Sequence, residues 1–257
     1  MNRFFVKPEY VENDVVEISG DDFNHISNSL RLKKGDKIII SIGDGYDYIV
    51  KLSNFKDYSV LGQIIKKKTN QTEPSINIDL AQAIPKNRNI EFVIQKGTEI
   101  GVNNIIPLET ERTIVKLSKN KEKRRIERWQ TIAEESAKQS QRGKIPKISG
   151  LVSFDNKDDI KELINKYDRV LILYAGETSK NIENTIKKYK NEKVNNILLF
   201  IGPEGGFTKQ EVEILESIQS STELETISLG PRILRTETAG IVALSAILYE
   251  FGDLGGE

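Results

Sequence analysis

The 257-residue sequence has no cysteine, one histidine, one tryptophan, one methionine and no net charge. Without cysteine there is neither a disulfide framework nor a thiolate metal site, and a lone histidine cannot supply a multi-histidine one, so no metal is expected. Serine or cysteine catalysis paired with histidine would have to use His25. With 38 basic against 38 acidic residues, an anionic partner has to be met by a local patch and not by the field of the whole molecule. No stretch approaches the ~18 apolar residues of a membrane span. The opening Met1-Asn2-Arg3-Phe4-Phe5-Val6-Lys7-Pro8 has no apolar leader core, so a soluble, cytoplasmic chain with no membrane partner is expected. The phosphate-binding G-x-x-x-x-G-K-[ST] is missing, and Gly202, Gly205 and Gly206 do not follow G-x-G-x-x-G spacing, which disfavours a phosphate cradle.

What is present suffices for a core: 37% of the residues are hydrophobic and 30% charged. Residues 1–68 read as a small β-barrel of short strands at Val15–Ile18, Lys37–Ile42, Tyr48–Leu52 and Ser59–Ile65, with a hairpin at Gly43-Asp44-Gly45. Asp22–Leu30 is the single helical insert, with an aspartate as its N-cap. The polar run at 69–75, preceded by Lys66-Lys67-Lys68, reads as a linker. Residues 76–257 alternate apolar strands (Ile76–Ile84, Asn104–Leu108, Arg169–Tyr174, Asn196–Ile201, Leu224–Leu229) with helical patterns, including Asn89–Ile100, Lys121–Gln141 and Thr236–Glu250. That rhythm predicts an α/β fold, a mostly parallel sheet covered on both faces, and such sheets bind ligands beyond the carboxyl ends of their strands.

Three strand ends fit that expectation: Tyr174-Ala175-Gly176-Glu177, Ile201-Gly202-Pro203-Glu204-Gly205-Gly206-Phe207, and Leu229-Gly230-Pro231-Arg232-Ile233-Leu234-Arg235-Thr236-Glu237-Thr238-Ala239. Glycines in the second let backbone approach a ligand, with the Gly202 position reserved for an adenosine, and Thr208-Lys209-Gln210-Glu211 is a capping box for the next helix. A neutral or cationic adenosine-type ligand held by backbone groups is a stronger reading of these residues than a phosphate, and ordinary glycine-proline turns are the equal alternative. A second surface is basic: Lys116, Lys119, Lys121, Lys123, Arg124, Arg125 and Arg128 precede Trp129, and Lys138, Arg142, Lys144 and Lys147 follow. It is either a solvated helix face or a phosphate-tracking surface. Ile126, Trp129, Ala133 and Ala137 lie on one helical face as a core stripe. His25, in the other predicted domain, is not assigned the role of base.

The last two motifs, with Gln95–Val102, Pro107-Leu108, Thr110-Glu111-Arg112, Gln139-Ser140-Gln141-Arg142, Pro146, Arg3-Phe4-Phe5, His25 and Leu30–Lys33, resemble the ribosomal RNA small-subunit methyltransferase E family over nearly the whole chain. Gly97, Ile100, Ser136, Lys138 and Ser29 depart from its usual residues, at positions of helix packing and of the basic face. The resemblance implies a PUA-like, RNA-binding barrel and a SPOUT-type domain with a C-terminal trefoil knot, an exception to unthreaded chains, in a homodimer. It also implies methylation of N3 of a uridine in 16S rRNA on the small ribosomal subunit, with S-adenosyl-L-methionine as cofactor. Carried over, the cofactor residues are Tyr174, Ala175, Gly176, Ile201, Gly202, Pro203, Glu204, Gly205, Leu229, Gly230, Ile233, Leu234, Thr236 and Ala239. The RNA-binding residues are Arg3, His25, Arg31, Lys33, Lys96, Arg112, Arg125, Gln139 and Arg142. Arg235 is expected at the uridine or its phosphate, where a guanidinium stabilises developing charge. Glu204 and Glu237 are the nearest groups to orient or accept a proton, although Glu237 also suits a helix start. The competing readings are a non-catalytic ribosome-associated RNA binder, which leaves the glycine-rich strand ends unexplained, and a different nucleotide enzyme, which leaves the barrel unexplained.

Overall fold

The structure, a computed structural model, describes residues 1–115, 119–176, 180–218, 220 and 222–254, with only the backbone of Lys119. Lys116 and Glu177, named above, lie outside the described residues. The chain forms two compact units, one of residues 1–73 with 137–145, the other of residues 74–136 with 146–257.

The first unit is a six-stranded sheet of β1 (Arg3–Phe5), β2 (Val11–Glu12), β3 (Val15–Ser19), β4 (Lys37–Ser41), β5 (Tyr46–Phe55) and β6 (Ser59–Thr69). Its order is β1-β4-β5-β6-β3-β2, antiparallel except where β1 runs parallel to β4. Phe4 near one end of that order and Val16 and Ile18 near the other enter a single buried cluster with Ile38, Ile40, Val50, Leu52 and Val60. The sheet therefore curls around one core as a barrel-like unit. Gly43 and Gly45 carry the hairpin into β5 with φ +80° and +84°, conformations a side chain disfavours. The lysine run is not linker: Lys66, Lys67 and Lys68 continue β6 opposite Ile49, Tyr48 and Asp47. The helical insert begins earlier than expected, as α1 (Gly20–Asn24), with Ser19 and not an aspartate at its N-cap. A wider turn follows over His25–Ser29, closed by Leu30 N–H donating to the His25 carbonyl at 2.9 Å.

The second unit contains β7 (Asn77–Ala83), α2 (Asn89–Ile100), β8 (Asn104–Glu109), most of α3 (Lys119–Gln139), β9 (Lys147–Ile148), β10 (Val152–Ser153), α4 (Lys157–Ile164), β11 (Arg169–Leu173), α5 (Ile182–Asn191), β12 (Asn196–Ile201), α6 (Lys209–Ser217), β13 (Glu223–Ile227) and α7 (Thr236–Phe251). Its sheet runs β10-β8-β7-β12-β11-β13, with β9 also on β8, and every pair is parallel. Successive strand residues face opposite sides. In β12, Leu198 and Phe200 join one cluster with Ile106, Ile172, Phe207 and Leu215, while Ile197, Leu199 and Ile201 are as deeply buried on the other side. Both faces are covered, as continuous apolar strands require. Of the predicted stripe, Trp129, Ala133 and Ala137 are buried and Ile126 is half-buried. Among the described residues no helix is long and apolar enough to cross a membrane.

Candidate functional site

Register brings the predicted strand ends together. Leu173 of β11 lies opposite both Ile201 of β12 and Ile227 of β13, and Ile201 lies opposite Gln82 of β7. Four carboxyl ends thus finish level at one edge of the sheet. The connections beyond them are tied to one another: Tyr174 N–H donates to the Ile227 carbonyl at 3.1 Å, Ser228 N–H to the Lys180 carbonyl at 2.9 Å, and Ile182 N–H to the Ser228 carbonyl at 3.2 Å.

They enclose a cleft of about 770 Å³ lined by Leu173, Tyr174, Ala175, Lys180, Asn181, residues 201–206 and 227–234, Thr236 and Ala239. All the residues expected to hold the cofactor line it except Gly176, which packs under Tyr174: a Cβ there would meet that ring at 2.5 Å. Arg235 and Glu237 are not among the lining residues. Sequence reasoning missed Lys180, Asn181 and Ser228 on the wall. The bridge between Asn181 and Ser228, which brings two of them there, leaves no local signal.

Gly202 serves a purpose other than the one expected. A Cβ on Gly202 would stand 2.9 Å from the Phe207 nitrogen and 3.1 Å from the Gly206 carbonyl carbon, so Gly202 makes room for its own loop, not for an adenosine. Gly206 and Gly230 adopt φ +68° and +102°, with open space where a Cβ would lie. The loop after β12 is fixed from several sides. Arg112 donates to the Gly205 carbonyl at 2.6 Å, the Lys86 N–H donates to Glu204 Oε1 at 2.7 Å, and Thr236 Oγ1 donates to the Gly202 carbonyl at 2.5 Å. Its exit is the predicted capping box, with Thr208 N–H on Glu211 Oε2 at 2.8 Å and Glu211 N–H on Thr208 Oγ1 at 3.2 Å. Glu211 also accepts the Glu111 N–H at 2.8 Å.

Arg235 is exposed at the N-cap of α7, and its carbonyl receives the N–H groups of Thr238 and Ala239 at 2.9 and 2.8 Å. Glu204 is exposed, and Glu237, in the first turn of α7, accepts from Asn89 Nδ2 at 3.3 Å. Each carboxylate has one oxygen engaged and another available.

Of the residues expected to face RNA, His25, Arg31, Lys33 and Gln139 are exposed in the first unit, His25 edge-on to the Phe4 ring. Arg112 is exposed in the second unit, Arg125 half-buried, and Lys96 is paired with Glu99 at 2.9 Å. Arg3 and Arg142 are corrections. Arg3 is 4% exposed and forks onto Asp47 at 2.6 and 2.9 Å, and Arg142, 2% exposed, holds Glu73 at 2.6 Å. Buried guanidiniums spent on carboxylates are struts and have no face for a phosphate. Among the described residues there is no group of three or more His, Cys, Asp or Glu placed to hold a metal.

Residues 72–248 match the RNA methyltransferase domain family, and residues 18–60 its associated PUA domain. The Ribosomal RNA small subunit methyltransferase E of Bacillus subtilis is 34% identical, with all of both chains covered. A methyltransferase of Legionella pneumophila, solved with bound cofactor SAM, superposes with TM-score 0.82 at 31% identity over 96% of this chain and 97% of that one. The enzyme E of Neisseria gonorrhoeae, solved bound to S-adenosyl methionine, gives TM-score 0.79 at 25% identity over 99% of each chain. This α/β chain with a cleft at its parallel strand ends and a PUA domain before it belongs to the ribosomal RNA small subunit methyltransferase E family of RNA methyltransferases.

Proposed function

We propose that the protein binds S-adenosylmethionine in the cleft at the ends of β11, β12 and β13 and methylates N3 of a uridine in 16S rRNA, on the assembled small subunit. The carrying observation is the cleft itself, about 770 Å³ and within the range of roughly 300–1,000 Å³ for small-molecule sites. Its apolar side chains, Leu173, Ile201, Ile227, Leu229 and Leu234, suit an adenosine. Of its charged side chains, Lys180 is paired with Glu225 at 3.4 Å, and Arg232 shares the wall with the opposite charge of Glu204, so the lining has no large excess of positive charge to oppose a sulfonium. When bound, the cofactor supplies an electrophilic methyl group.

The chain's own part is positioning and charge. Placing nucleophile and methyl in line can supply several of the ~7–11 kcal/mol that well-oriented reactions gain, provided the base is held out of its stack. N3 must lose its proton as it gains carbon, and Arg235 is the cation set to stabilise the charge spreading onto the base carbonyls. Glu204 and Glu237, each with one oxygen available, are the carboxylates to orient or take that proton. For RNA, the first unit offers His25, Arg31, Lys33 and Gln139, and the second offers Lys96, Arg112 and Arg125. We also read the protein as a cytoplasmic homodimer with the SPOUT-type trefoil knot that the family resemblance implies. Exposed Val242 and Tyr249 on α7 support a subunit contact, since clustered apolar exposure marks interaction sites.

The test is methyl transfer to small subunits and to naked rRNA, with the modified base mapped and cofactor binding followed by calorimetry. One N3-methyluridine on subunits is expected. No heat of cofactor binding with RNA binding retained would select the non-catalytic binder instead. Arg235→Ala should lower turnover about a hundredfold with cofactor affinity nearly kept, and near-normal turnover would remove Arg235 from the chemistry.

A further inference from the structure

Gln82 is an anomaly in β7. It is fully buried in a strand of Leu80, Ala81 and Ala83, and its Oε1 has no hydrogen-bond partner. Its Nε2 donates to the Ala83 carbonyl at 3.0 Å and to Thr236 Oγ1 at 2.8 Å, so flipping the amide would set oxygen against oxygen. The orientation is therefore fixed. Because Thr236 Oγ1 already accepts from Gln82, its own hydrogen goes to the Gly202 carbonyl at 2.5 Å. Two hydrogen bonds thereby join the end of β7, the loop after β12 and the first residue of α7. An orphaned buried acceptor is destabilising, and an apolar side chain would fill this space without it. Stability alone does not account for the amide.

We propose that Gln82 and Thr236 are positioning residues: the Thr236 hydroxyl, oriented by Gln82, fixes the Gly202 carbonyl and with it the Gly202–Gly206 wall of the cleft. Thr236 then serves the cofactor through Gly202, and its hydroxyl hydrogen is not available to donate to a ligand. Arg112 holds the Gly205 carbonyl of the same loop, so the wall is clamped at two carbonyls. This inference rests on the reading that the cleft takes S-adenosylmethionine.

Calorimetric titration of S-adenosylmethionine into the full chain and its variants tests it, with each fold checked by thermal melting. Thr236→Val keeps the shape and removes the donor, and an unsatisfied buried carbonyl predicts affinity weakened about ten- to a hundredfold. Turnover at saturating cofactor should change only a few fold, because a preformed wall serves ground and transition states alike. Thr236→Ser, which keeps the hydroxyl, should recover to within about threefold of wild type, and Gln82→Met should lose about three- to tenfold. A folded Thr236→Val that binds as wild type, or a Thr236→Ser as weak as the valine variant, overturns the proposal. If Thr236→Val does not fold, Gln82→Met decides, and wild-type affinity there overturns it. Wild-type protein that gives no heat with S-adenosylmethionine overturns the cofactor reading itself, and this inference with it.

Discussion

A guanidinium that is 4% exposed must recover through its contacts the hydration it has lost. Arg3 does so on Asp47, which also accepts from Asn70 Nδ2 at 2.9 Å. Burial by itself would push the Asp47 carboxyl up, but the hydrogen bonds from Arg3 and Asn70 and the charges of Arg3 and Lys68 outweigh it and hold the group below its usual range. Since the folded value lies under the unfolded one, the stabilisation is complete above the ordinary aspartate range, about pH 4, and is lost as pH falls beneath it. Arg3→Ala removes the forked partner of that carboxylate but leaves it Lys68 at 3.5 Å and Asn70, and should destabilise the first unit by about 3 kcal/mol, the low end for a broken buried pair, in urea unfolding at neutral pH. The penalty should shrink on acidification, because a protonated Asp47 no longer needs the cation; a loss under about 1 kcal/mol at neutral pH would mean water replaces the guanidinium. Nothing local in the sequence announces this pair. A charged residue is exposed by default, and its partner stands 44 positions away, so Arg3 reads as a phosphate contact until the fold is seen.

At the scale of elements, what is written locally could be read and what is written across the sheet could not. The span of α2, the hairpin glycines and the Thr208 capping box follow from periodicity and short-range hydrogen bonding. The reason for Gly202 does not, since the groups that exclude a side chain there belong to the returning loop. Gly240 poses the same problem in the interior of α7. In an open helix alanine would be better by about 1 kcal/mol. Here a Cβ would lie 3.2 Å from Gln82 Oε1 and 3.4 Å from Leu80 Cδ2. Gln82 is pinned by its two donated hydrogen bonds, so it cannot swing aside without breaking them. Overpacking of a filled core costs about 1–3 kcal/mol, which exceeds the propensity gain. Gly240→Ala should therefore lower the urea midpoint, by a net cost of about 1 kcal/mol; a raised midpoint would mean that Gln82 yields and that helix propensity wins.

For the whole molecule, the change from strand rhythm to strand–helix alternation near residue 70 locates the two architectures, but it misses what completes the first one. Residues 137–145 belong to the unit built by residues 1–73, although they end a continuous helical pattern that begins in the other. Glu73 is the centre of that return. It accepts from Arg142 Nη2 at 2.6 Å, from Arg142 Nε at 3.2 Å, and from the backbone N–H groups of Gly143 and Lys144 at 2.8 and 3.3 Å. Thr72 Oγ1 adds a bond to the Gln141 carbonyl at 2.9 Å. Burial would push the Glu73 carboxyl up, and the hydrogen bonds and charge of Arg142 more than offset this, so it stays ionised below the usual range. The segment expected to be a linker is thus one half of a half-buried junction whose other half lies about seventy residues on. Arg142→Ala removes the charge that compensates Glu73. The Glu73 side chain is 21% exposed and keeps part of its hydration, which puts the cost near the lower end of the range for breaking a buried pair, about 3 kcal/mol. Since local opening is governed by the stability of the unit that opens, amide exchange in β5 and β6 should accelerate about a hundredfold. Glu73→Gln should do less, because the amide oxygen still accepts the Gly143 N–H. Exchange in β5 and β6 at the wild-type rate in Arg142→Ala would show that the barrel-like unit holds without its returning segment.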